Sequence, residues 1–240
     1  MSAEEVVHED APFAEFDPEV FERGLAAADE ERRKRWENPN YLASAALWYA
    51  NRGFMIFPLR PFAKIPYGKT KGVLDASNDP DKVAYWWSKA PQSNIGIATG
   101  HLVDVIDIDG ELGHQSRLNN WDLFKSLDVI AVVSTPRAGG QHIYVKAHGG
   151  GNRAGVWPGI DIRGKGGYVI LPPSRLKEGV QGNKYSGSYD WIVPLMREDR
   201  TAEVARPLCE NCLFPLDGAS ILLRLSTCTT CELKELASEQ

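Results

Sequence analysis

Residues 102–110 read LVDVIDIDG, and what this run becomes decides the fold. From Ile106 to Asp109 apolar residues alternate with carboxylates, the period of a β-strand. A period of two puts Asp107 and Asp109 on one face, about 7 Å apart along the chain, and turns Ile106 and Ile108 into a core. Two carboxylates on a rigid strand can hold a pair of metal ions about 3.5 to 4 Å apart, the arrangement that activates the attacking oxygen and stabilises the leaving one in phosphoryl transfer. The same Asp-x-Asp beside Gly110 is also an ordinary turn former, so the pair alone leaves both readings open.

Downstream, VIAVVSTP (129–136), GQHIYVKA (140–147) and GIDIRGKGGYVILPP (159–173) read as further strands, and NIGIATG (94–100) precedes the first. A helix over roughly 112–127 separates the aspartate strand from the next. Upstream, FDPEVFERGLAAADEERRKRW (16–36) is rich in helix formers and closes on the basic run Arg32–Arg35. NYLASAALWYANRG (40–53) predicts a helix stopped at Gly53, FMIFPL (54–59) a strand, and DPDKVAYWWSKAP (79–91) a capped helix with an aromatic face. Val- and Ile-rich runs broken by Gly and Pro predict an α+β protein, with a mostly antiparallel sheet carrying helices on one side. The sheet-like text stops after Trp191, where a charged connector, MREDRTAEVARP, leads to a cysteine-bearing tail. The predicted divisions are an acidic extension over 1–40, a main domain over 41–192, a connector over 193–206 and the tail over 207–240.

With 43% hydrophobic and 25% charged residues the composition is that of a globular chain, and no run approaches the roughly 18 apolar residues that span a bilayer. The first ten residues, MSAEEVVHED, have neither the basic nor the apolar region of a secretory signal, which points to a reducing cytoplasm. The net charge of -5 argues against phosphate binding until its distribution is read. Residues 1–40 hold twelve acids against five Lys and Arg, whereas 134–187 hold eight Lys and Arg against two acids. The sheet region is basic, as a nucleic-acid surface requires and as chance clustering on a solvated face also permits.

Two further clusters carry chemistry. In STPRAGGQHIYVK a Gly pair permits a tight turn before a strand bearing His142 and Tyr144 on one face. An imidazole there could donate to a phosphate oxygen, or could be a satisfied structural histidine. In GIDIRGKGGYVILPPS, Asp161 and Arg163 share a face, which suits a third metal ligand and a phosphate clamp as well as a plain ion pair.

Taken in order, GFMIFPLRPFAKIP, DASNDPDKVAYWW, NIGIATG, VIDIDG, STPRAGGQHIY and GIDIRGKGGYVILPPS resemble the bifunctional DNA primase-polymerase family of plasmid and phage replication proteins, within the archaeo-eukaryotic primase superfamily. The resemblance covers roughly 42–191. One departure is DASND where the family shows Asp-Ala-Thr; Ser77 keeps the hydroxyl. The resemblance implies an RRM-like catalytic sheet packed against a smaller α/β unit built from the N-terminal helices. It assigns Asp107, Asp109 and Asp161 to two Mg or Mn ions and His142 to the triphosphate of the incoming nucleotide. Arg163, Lys64 and Ser134 would line the nucleotide pocket. The implied partners are a single-stranded DNA template, nucleoside triphosphates and a replicative helicase on a separate chain or further domain. A zinc-containing DNA-binding accessory module and a metal-dependent nuclease use some of the same residues. A nuclease needs no triphosphate contacts, however, and a binding module needs no carboxylates in register.

Two motifs lie outside this set. AKIPYGKT (63–70) comes within one residue of a phosphate-binding P-loop, but Gly72 and a turn follow Lys69 where a helix should begin, and Pro66 removes a backbone donor. Cys209, Cys212, Cys228 and Cys231 form two Cys-x-x-Cys knuckles, the pattern of a structural four-thiolate zinc ribbon in a chain without an export signal.

Overall fold

The computed structural model describes residues 38–195 continuously, with scattered helical positions between Arg23 and Glu37. These fall in two units, one ending at Asn38 and one beginning at Pro39. In the first, Arg33 pairs with Glu30 at 2.8 Å and with Glu37 at 3.5 Å, one helical turn to either side. Cys209, Cys212, Cys228 and Cys231 lie outside the described residues, as does the connector before them.

The second unit begins with α1 (Tyr41–Ala50), which buries Leu42, Ala46, Tyr49 and Ala50 along one face. It ends as its sequence predicts: Gly53 takes φ +83° and donates its N–H to the Ala50 carbonyl at 2.9 Å. Strand β1 (Ile56–Leu59) follows, then a loop and a 3-10 turn at Gly72–Asp75. No helix starts at Lys69, so the P-loop-like stretch lacks the element that would make it one. Helix α2 (Pro80–Lys89) has Pro80 in its first turn and is capped by Asp79, whose side chain accepts from the Asp81 N–H at 2.9 Å. Val83 and Trp87, one turn apart, are its buried face.

The remaining elements are β2 (Asn94–Ala98), β3 (Val103–Ile108), α3 (Gly110–Asn119), α4 (Trp121–Lys125), β4 (Val129–Ser134), β5 (Gln141–Lys146), β6 (Arg153–Trp157), β7 (Ile160–Arg163), β8 (Tyr168–Leu171), β9 (Arg175–Leu176), β10 (Gly187–Ser188) and β11 (Asp190–Val193). They form a six-stranded sheet in the order β11-β4-β5-β3-β7-β6, a three-stranded sheet in the order β1-β2-β8 and a β9-β10 ribbon. Every strand pairing is antiparallel, so the fold is α+β with antiparallel sheets. One face of the six-stranded sheet buries Ile106, Ile108, Ile143, Val145 and Ile160 against Phe124 of α4, with Trp121 and Leu127 alongside. That face is one core of the sheet; Val103 and Val105 on the opposite face are buried as well, so only Asp107 breaks the burial of β3.

Three details differ from the reading of the sequence. NIGIATG joins the small sheet, where Ile95 and Ile97 face Leu171 and Val169 of β8. Residues 159–173 form two strands rather than one, because the chain leaves the large sheet at Gly164 and enters the small one at Tyr168. The helix over 112–127 divides at Asn120, whose backbone leaves the helical region (φ -116°, ψ 30°). Apolar periodicity reports burial in a sheet but not which sheet, and a strand crossing between two buried sheets reads as one long run.

The crossing is held at one tight point. The Thr99 hydroxyl donates to the Gly164 carbonyl at 2.7 Å. Gly100, at φ +81°, packs so closely that a Cβ there would lie 2.3 Å from the Cα of Lys165. Gly100→Ala therefore combines left-handed strain with backbone overlap and is expected to cost about 2 to 4 kcal/mol. A denaturant melt measures it; an unchanged midpoint would mean that the crossing is looser than described.

Candidate active site

The register of the large sheet builds the site. Asp107 on β3 lies opposite His142 on β5 and opposite Asp161 on β7. Directly opposed residues share a face, so carboxylate, imidazole and second carboxylate form a row across three strands. Val105 lies opposite Tyr144 and Arg163, which places both on that same face, away from Phe124 and the isoleucine core.

Arg163 joins the two acids. Its Nη2 donates to Asp161 Oδ2 at 2.6 Å and lies 3.4 Å from Asp107 Oδ2. The other Asp161 oxygen accepts from the Gly155 N–H at 2.7 Å. His142 Nε2 sits 3.6 Å from Asp107 Oδ1, a Coulombic contact longer than a hydrogen bond. Burial pushes the His142 imidazole below its ordinary value; the Asp107 charge opposes this, and Lys64 and Arg163 reinforce it. The ring is therefore neutral at neutral pH, with one N–H to donate.

An aromatic wall backs the row. The Tyr189 ring lies 5.6 Å from His142, the Trp191 ring 5.7 Å from Tyr144, and the Tyr49 ring 6.5 Å from Trp191. Burial raises the Tyr144 and Tyr189 hydroxyls well above the usual phenol range, so neither is a proton acceptor at neutral pH. The His142 Nδ1 and Tyr144 hydroxyl atoms are buried without a hydrogen-bond partner among the described residues.

Asp109 departs from its expected place. Strand β3 ends at Ile108, and Asp109 sits at the entry to α3, so strand alternation no longer governs its side chain. Its N–H donates to the Gly159 carbonyl at 2.8 Å, and its carboxylate pairs with Arg137 at 2.8 Å. Gly110 follows at φ +61°, where a Cβ would stand 3.2 Å from Arg137 Nε; the glycine leaves room for the guanidinium. Arg137 was not among the candidates read from the sequence. The available signal was an arginine in the tight STPRAGG turn, directly before the strand that carries His142.

The other candidates divide. Lys64 is exposed on the loop after β1; its carbonyl accepts from the Tyr168 hydroxyl at 3.1 Å, and its charge acts on His142. Ser134 is not brought to the site. It lies opposite Gln141, which in turn lies opposite Ile108, so it belongs to the other face of the sheet, and its hydroxyl meets the Asp190 carbonyl at 3.2 Å. A one-residue shift in a strand reverses the face, and Val133, not Ser134, is opposite His142.

No three His, Cys, Asp or Glu side chains converge as a metal cluster among the described residues. The donor set nevertheless suits a cation, because Asp107 and Asp161 already share one: the Arg163 guanidinium lies between them. Asp109 likewise holds a cation, Arg137.

Two carboxylates, a guanidinium and a neutral imidazole gathered on one face of an antiparallel sheet form a site suited to phosphate chemistry. Comparison with known proteins then places the chain. Residues 46–206 match the family model described as bifunctional DNA primase/polymerase, N-terminal, and the chain belongs to that family. The match spans the motifs on which the resemblance rested. Comparison with curated proteins finds no match. Among the described residues no helix is long and apolar enough to cross a membrane.

Proposed function

We propose that this chain catalyses template-directed nucleotidyl transfer, priming and extending DNA in phage or plasmid replication, with Asp107, Asp109 and Asp161 as ligands of two Mg or Mn ions. The observation that carries this is the register that sets Asp107 against Asp161 with a cation, Arg163, between them. When bound, such ions polarise the attacking hydroxyl and neutralise charge on the departing pyrophosphate. Arg163 exchanges its carboxylate partners for phosphate oxygens, since a guanidinium forks onto either. His142 donates its N–H to the triphosphate from a ring held still by Tyr189. Lys64 approaches from the loop after β1. Positioning and charge neutralisation do the work, and no covalent enzyme intermediate is required.

Strand order supports the RRM-like reading of the catalytic sheet. Taking β3, β4, β5 and β7 as first to fourth, their spatial order is 2-3-1-4, that of a split βαβ sheet, with α3 and α4 in the first crossover. For the tail we retain one structural zinc held by Cys209, Cys212, Cys228 and Cys231, with 207–240 as its unit.

Arg137 is assigned a positioning role through Asp109. Arg137→Ala is expected to lower synthesis about tenfold, the scale of one charge-assisted contact, and to shift stability by less than about 1 kcal/mol, since the pair is half-exposed. Steady-state rates beside a melt would show it; equal losses in both would mean a merely structural pair.

The nuclease reading is tested separately. An end-labelled primer annealed to a longer single-stranded template is incubated with the protein and Mn or Mg, first without and then with nucleotides. The proposal expects no shortening in the first case and lengthening in the second. Shortening without lengthening would establish the nuclease.

A further inference from the structure

Two glycine-rich loops run side by side along the rim of the candidate site. The first, residues 148–153, reads HGGGNR and leads into edge strand β6; the second, 164–167, reads GKGG and joins β7 to β8. They are zipped by main chain: the Lys165 N–H donates to the Gly150 carbonyl at 2.7 Å, and Gly151 bridges Lys165 in parallel. Gly164 and Gly167 are explained by this contact, since a Cβ on either would come within 2.4 Å of Gly150 or Asn152. Gly150 and Gly151 are not. A Cβ on either would meet nothing within 4 Å, and neither has a positive φ. Their carbonyls are turned into the zipper, but the side on which a Cβ would stand is open although no packing requires it, and an open side is what a strand of ligand lying close against the main chain needs.

Charge says what that ligand is. Arg153 closes the first loop and Lys165 stands at the zip itself; both side chains are exposed, and among the described residues neither is engaged by an acid. The loops carry no acid of their own. They also lead to the carboxylates: Gly164 follows Arg163 directly, and Gly155 of β6 gives its N–H to Asp161.

We infer that the paired loops 148–153 and 164–167 are a binding surface for the phosphodiester backbone of single-stranded DNA, with Arg153 and Lys165 neutralising phosphates and the open Cβ side of Gly150 and Gly151 admitting the strand. This rests on the proposed reading that the chain acts on DNA, and it adds the surface that feeds the template to the acids. Lys165 holds its loop through its main-chain N–H, so truncating its side chain leaves the zipper in place.

The test is fluorescence anisotropy of a labelled single-stranded oligonucleotide with the full chain, as wild type, as Arg153→Ala/Lys165→Ala and as Lys82→Ala/Lys89→Ala, across a salt series. Two lost phosphate contacts should weaken binding about tenfold near 0.15 M salt and lower the slope of log K against log salt by about 1.4. The α2 variant, with the same loss of charge, should bind like wild type, and the nucleotide KM should be unchanged in both. Wild-type affinity and slope in the loop variant would overturn the surface while leaving the DNA reading intact. A raised nucleotide KM with unchanged DNA binding would likewise overturn it, giving the loops to the triphosphate. A wild-type protein that binds no single-stranded DNA would remove both the surface and the reading beneath it.

Discussion

Asp107→Asn is expected to reduce nucleotide incorporation by at least about a thousandfold, or about 4 kcal/mol in the barrier, in a protein that remains folded. Asp107 occupies the centre of the row, opposite both His142 and Asp161, and is the acid that Arg163 and the imidazole both face. The amide keeps its shape but loses the charge that would hold a cation. It contributes nothing to the Ile106–Phe124 core on the other face, so the melt should stay close to wild type. Incorporation of labelled nucleotide beside a thermal melt separates the two effects. A folded variant that still extends primers at the wild-type rate would remove Asp107 from the chemistry.

His142→Ala is expected to lower kcat/KM for nucleotide by about a hundredfold, the scale of one lost donor to a developing phosphate charge. Affinity for single-stranded DNA should be unaffected, because the imidazole is buried beside Asp107 in the row and offers little surface to a strand. His142→Gln, which restores one N–H, should recover part of the loss; equal failure of both variants would mean that the ring matters only for packing. The pH dependence has a definite sign. Burial holds the imidazole below 6.5, so the ring is already neutral where an ordinary histidine is half charged. The nucleotide KM of wild type should follow that of His142→Gln on passing down through pH 6.5, since the substrate phosphate titrates in both; a break there in wild type alone would show that the working form is the cation.

Much of this site was legible because a strand has a strict period. VDVIDI set Ile106 and Ile108 on the face opposite Asp107, and IDIR set Asp161 and Arg163 on one face. Neither stretch reveals its neighbours. That Asp107 faces Asp161 on one side and His142 on the other depends on the order β5-β3-β7, and long-range pairing leaves no mark in local text. Asp109 was misplaced by carrying the alternation one residue past the end of β3, where a helix entry takes over. Ser134 was misplaced because a motif position specifies a residue and not the side of the sheet it occupies. Arg137 escaped notice because its partner, Asp109, lies between β3 and α3, far in sequence from the β4–β5 turn that carries the arginine. The small sheet was hidden for a related reason: β2 and β8 are buried on both faces and carry no alternation to assign them.

The central claim is that the acid row joins nucleotides on a template. The most direct measurement is incubation of the purified chain with single-stranded template, labelled nucleotides and Mn or Mg, with and without a primer, scored by product length. Template-dependent products under at least one metal, absent with Asp107→Asn, are what the account predicts. No incorporation under either metal, with or without a primer, would contradict it.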